Sequence, residues 1–98
     1  MSVLAPTPRD RLCDAQGRPY FLWDADLTLA RFEALLRTGD RAVRLYLVAK
    51  LMRQAKPDDV FEFVSLEQIC ELWPDLRRDL GKTRAFWEWL LRQWAVVA

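Results

Sequence analysis

The chain predicts an all-α fold, a compact bundle of about five helices. Three observations carry that expectation. Apolar residues recur at helical spacing from Leu29 onward. Thr28, Asp40 and Ser65 stand where periodic runs begin, and side-chain oxygens there can accept orphan backbone N–H groups. Five Trp, five Phe and two Tyr provide core material, each large ring removing roughly 150–250 Å² from water. A tryptophan-rich core of this kind can support a single domain of 98 residues without disulfides or metal.

Residues 1–10 carry Pro6 and Pro8 and are expected to form a flexible arm, with residues 11–98 as one helical domain. In residues 12–23, Asp14 to Gly17 has turn composition between apolar pieces, which allows a small N-terminal β-hairpin. Pro19 cannot donate to a ladder, so any strand there is short or at an edge.

The first long helix starts at Thr28, with Leu27 packing on Phe32 as a hydrophobic staple and Gly39 as its stop. Asp40 caps a second helix running to about residue 55, whose apolar positions sweep most of its circumference. An arc that wide describes a helix surrounded by others. Arg44 lies inside the arc, where a buried guanidinium needs a partner, and Asp40 or the Asp24/Asp26 region is expected to supply it.

Lys56-Pro57-Asp58-Asp59 breaks that helix and opens a short one, because proline and acids suit a helix N-terminus. Ser65-Leu66-Glu67-Gln68 reads as a capping box for a helix that Pro74 ends, with Cys70 on its apolar face as a small buried hydrophobe. After one more turn to Gly81, a last helix spans about 83–96. Phe86, Trp87, Leu90, Leu91, Trp94 and Val97 share its core face; Trp89 and Val96 point away from it.

Apolar residues at 52% and charged residues at 30% are the balance of a globular chain rather than a disordered one. The net charge of +1 is spread over both halves, so no concentrated basic surface is demanded by composition. With no histidine, the usual zinc, haem and Ser/His or Cys/His chemistries lose their commonest participant. No metal, cofactor or catalytic residue is expected. Two isolated cysteines, no signal-like start and no run of roughly 18 apolar residues give a cytoplasmic expectation, with no membrane contact.

One run looks like chemistry. Tyr20-Phe21-Leu22-Trp23 followed by Asp24-Ala25-Asp26-Leu27-Thr28 resembles the first motif of haloacid-dehalogenase-type phosphatases, with Asp24 as nucleophile and Asp26 as acid/base. That family needs a parallel sheet to bring further groups to the site, and helical periodicity follows Thr28 instead. Capping and the helix dipole select the same residues before a helix. A looser metal or phosphate contact at Asp24 and Asp26 ranks third among the functional readings.

The segment from Leu35 to Arg44, with Asp40 four residues before Arg44, resembles the inter-helix turn of a HEAT-type repeat and implies an antiparallel helical hairpin. Arg77, Arg78, Lys82 and Arg84 form the densest basic cluster, beside Trp73 and Trp87, and are the candidate nucleic-acid contacts. Trp89 and Val96 form a second apolar edge and are the candidate partner-binding residues.

Across residues 20–94, the line Tyr20-Phe21-Leu22-Trp23-Asp24, then Phe32, then 51–60, then Leu72-Trp73-Pro74 and Phe86-Trp87-Glu88-Trp89 resembles uncharacterised short bacterial proteins. These are often encoded beside nucleotidyltransferases of the abortive-infection toxin class. The resemblance implies an accessory or antitoxin-like partner rather than an enzyme. The leading expectation is therefore a non-enzymatic module that binds another protein or itself as a homodimer. A nucleic-acid-binding regulator using the Arg77–Arg84 turn is the alternative.

Overall fold

The computed structural model describes residues 6–93 and contains six α-helices among them: α1 (Arg9–Leu12), α2 (Leu29–Thr38), α3 (Arg41–Gln54), α4 (Pro57–Val60), α5 (Leu66–Leu76) and α6 (Arg84–Gln93). Three 3₁₀ turns, Tyr20–Leu22, Arg77–Asp79 and Gly81–Thr83, join them. The chain is all-α among the described residues.

The caps are where the sequence places them. Thr28 Oγ1 accepts from Arg31 N at 3.2 Å, and Asp40 Oδ1 accepts from Val43 N at 2.9 Å. Ser65 and Gln68 close the capping box in both directions, at 2.8 and 3.1 Å. Gly39 does end α2, but not through a left-handed backbone, since its φ is −68°. A Cβ there would meet the Leu35 carbonyl at 2.6 Å and Val43 at 2.9 Å. Crowding by the last-turn carbonyl of α2 on one side and Val43 of α3 on the other is what demands glycine.

α3 is the central helix. Six consecutive residues, Leu47 to Met52, are buried, because α2, α4, α5 and the 3₁₀ turns Tyr20–Leu22 and Gly81–Thr83 all pack against this helix. Beside it, Phe21, Phe32 and Phe63 meet edge to face with ring centroids 5.4–5.6 Å apart. Leu72, Trp73 and Leu76 on α5 and Trp87 and Leu91 on α6 complete the core.

Four expectations are corrected. The N-terminal hairpin is absent: Asp14–Gly17 does turn, with Gly17 at φ +80°, but Cys13 and Pro19 make a single bridge. Tyr20–Leu22 then winds into a 3₁₀ turn that buries Phe21 and Leu22 together, which an alternating strand could not do. Pro74 does not end its helix. It lies near the C-terminus of α5 and forfeits only the bond of its missing N–H, while buried Leu76 holds the last turn against the core. Trp23 is not core, being 74% exposed. Arg44 takes neither expected partner: the Asp40 carboxylate caps α3, Asp24 pairs with Lys50, and Arg44 makes no ion pair among the described residues.

Asp59 is the most demanding buried group. Its carboxylate, 1% exposed, accepts from Thr7 N at 2.6 Å, Thr7 Oγ1 at 2.7 Å and the Tyr20 hydroxyl at 2.5 Å. Tyr20 Oη in turn accepts from Lys56 N at 2.8 Å, where α3 gives way to α4. Burial pushes Asp59 upward, but the hydrogen bonds from Tyr20 and Thr7 and the Lys56 charge outweigh it, leaving the carboxyl below its ordinary range. Burial and the Asp59 hydrogen bond push Tyr20 up to about 12.

Asp59→Ala should cost about 2–4 kcal/mol and Tyr20→Phe about 1–3 kcal/mol in urea unfolding, since each leaves buried donors or acceptors unpaired. A carboxyl depressed in the folded state stabilises above its unfolded pKa of about 4 and loses that contribution as pH falls through the folded value. Wild type should therefore lose stability on acidification below pH about 4 more steeply than Asp59→Asn.

Candidate functional site

The last helix presents its aromatic residues on two sides. Trp87 is 1% exposed and its indole N–H donates to the Met52 carbonyl at 3.0 Å, an acceptor near the C-terminus of α3. Trp87 and Leu91 thus define the buried stripe of α6. Phe86 and Trp89, three residues apart, share another face. They are 41% and 54% exposed, with ring centroids 6.2 Å apart. Together they make a contiguous aromatic patch, bordered by the Arg84–Glu88 pair at 3.3 Å. Val96, the other expected member of this edge, lies outside the described residues, as does Trp94.

Phe86 was expected on the core face. The Trp87–Leu91 axis puts it about 100° off that stripe, which follows from helix geometry once the stripe is known. The signal that could have located the stripe is the indole N–H of Trp87, which needs an acceptor when buried.

The basic turn is largely engaged. Asp75 takes Arg41 at 2.9 Å and Arg78 at 3.7 Å, and Arg84 is held by Glu88. The Asp79 carbonyl accepts from Arg53 at 2.6 Å, which ties the turn to α3. Arg77 and Lys82 are exposed and enter no ion pair among the described residues. The four candidate nucleic-acid contacts are therefore near one another in the chain, but Arg84 is paired one to one with Glu88 and Arg78 shares Asp75 with Arg41.

Asp24, Asp26 and Thr28 are sent in different directions. Asp24 receives buried Lys50 through both oxygens, at 2.7 and 2.9 Å, and Gln54 at 3.3 Å. The Lys50 hydrogen bond, with help from Gln54, holds the Asp24 carboxyl below its usual range. Asp26 is fully out in solvent, 3.7 Å from Arg18, and Thr28 caps α2. Among the described residues, no three His, Cys, Asp or Glu side chains gather as a metal site. Cys13 and Cys70 are half-buried and form no disulfide among the described residues, and burial pushes both thiols upward. Fewer thiolates at neutral pH means weak nucleophiles. No helix among the described residues is long and apolar enough to cross a membrane.

Sequence reasoning missed two residues here. Lys50, 4% exposed, reads as a solvated lysine until Asp24 is placed beside it. Tyr46, one turn earlier on α3, is 58% exposed with Lys50 Nζ 5.8 Å from its ring centre. No protein-family model matches the chain, and no curated protein or solved structure was found to match it.

Asp24→Asn should lower the melting temperature by leaving the Lys50 ammonium buried without a counter-charge. Adding Lys50→Met should recover most of the loss, because an apolar side chain suits that site. A double variant no more stable than Asp24→Asn would show that the ion pair is not the reason for the loss.

Proposed function

We propose that this chain is a non-enzymatic helical protein–protein interaction module acting in the bacterial cytoplasm. Its partner is a nucleotidyltransferase of the abortive-infection class, toward which it acts as an accessory or antitoxin-like protein. The single observation that supports this most is the exposed Phe86–Trp89 patch on α6. Large rings held at solvent are favoured at interface hot spots, where burying them against a partner supplies much of the binding energy. The resemblance over residues 20–94 supplies the partner class. Self-association through the same patch is the other occupant this reading allows.

Co-expression with the neighbouring nucleotidyltransferase is the direct test. The wild-type chain should co-elute with it, and Phe86→Ser with Trp89→Ala should abolish co-elution while leaving the melting transition in place. Light scattering of the chain alone should detect any homodimer, which the same pair of substitutions should dissociate. Neither complex forming, or either surviving both substitutions, sinks the proposal.

A nucleic-acid-binding regulator is the second reading, favoured by exposed Arg77 and Lys82 lacking acidic partners among the described residues. It predicts single-strand binding that weakens steeply with salt and weakens further in Arg77→Ala with Arg78→Ala. Salt-insensitive binding, or none at low salt, removes it.

A further inference from the structure

A cleft lies at the opposite end of the sequence from the α6 patch. It has a volume of about 430 Å³ and is built from α1, the Asp14–Gly17 turn and the Tyr20–Leu22 turn. Leu12, Pro19 and Leu22, all buried, give it an apolar base. Trp23 forms one wall and, among the described residues, is the most exposed of the large apolar side chains. The size suits a small molecule of nucleotide dimensions, for which sites of roughly 300–1,000 Å³ are usual.

Its charges are unequal in their engagement. Asp14 is occupied by its own turn, accepting from Gln16 N, Arg18 N and Arg18 Nε. Arg18 is thereby held in place, with Asp26 at 3.7 Å on its other side. Arg11 lines the same cleft, is exposed and makes no ion pair among the described residues. The cleft thus offers a flat aromatic face, an apolar base and one uncompensated guanidinium. A planar ring carrying an anionic group matches all three, and a base linked to a phosphate is the biological form of that shape. Base–aromatic stacking tolerates any base, and guanidinium groups match phosphate geometry.

We propose that this cleft binds a nucleotide, its base stacked on Trp23 and its phosphate held by Arg11. Neither residue is used in the core, so the site stands apart from the partner surface on α6. The same chemistry could meet a free mononucleotide or the end of a single strand, and the competing arm of the test separates these sources.

The test follows the Trp23 indole N–H and the Arg11 side chain by NMR as adenosine 5′-monophosphate or adenosine is added to the full chain. Both signals should shift saturably with the monophosphate. Trp23→Ala should weaken both ligands roughly tenfold, while Trp23→Phe keeps a stacking face and stays within a few-fold. Arg11→Ala should weaken the monophosphate about fivefold and leave adenosine unchanged. A short oligoadenylate that displaces the monophosphate marks a strand end as the occupant, and one that does not marks a free nucleotide. No shift at Trp23 with millimolar monophosphate, equal binding by Trp23→Ala and wild type at an unchanged melting temperature, or equal weakening of both ligands by Arg11→Ala overturns the proposal.

Discussion

The buried carboxylate of Asp59 is the constraint on which the arrangement of this domain depends. It sits in α4, immediately after the break that ends α3, and it would be costly there without donors. Those donors come from far away in sequence: Thr7 in the N-terminal segment and Tyr20 in the first 3₁₀ turn. Satisfying Asp59 therefore draws the N-terminal segment across the end of the central helix. Tyr20 does a second task by accepting from Lys56 N, so the helix break is held by the side chain that holds the carboxylate.

The same break sets α6. Helix ends leave carbonyls without intrahelical partners. The Leu51 carbonyl is taken by Ala55 N, and the Met52 carbonyl is taken by the Trp87 indole. A helix pinned by an internal tryptophan hydrogen bond cannot rotate freely. Trp87 and Leu91 go inward, and Phe86 and Trp89 are left facing solvent as a consequence.

Much of this was legible in the residues alone, for identifiable reasons. Thr28, Asp40 and the Ser65–Gln68 pair act within a few residues of themselves, so local chemistry suffices to place them. The centrality of α3 followed from the width of its apolar arc. What could not be read depended on pairs distant in sequence. Lys50 with Asp24, Asp59 with Tyr20 and Thr7, and Trp87 with Met52 are separated by 26 to 52 residues. No periodicity reports such pairs. The hairpin failed for a related reason: Phe21 and Leu22, adjacent in sequence, are both drawn into the core, and only a helical turn can place neighbours on one side.

Trp23 and Trp89 are exposed for the same kind of cause, which bears on what they can do. Leu22 is buried and Asp24 is tied to Lys50, so the residue between them has only the outside left to it. Trp89 is turned outward by Trp87. In both cases a neighbour is committed to α3 or to its end, and the large ring beside it makes no contribution to holding the core. Substituting either ring should therefore leave the framework intact while removing a recognition surface. Stability and binding can be altered separately in this domain, because the buried polar bonds that fix the helices belong to one set of residues and the displayed aromatics to another.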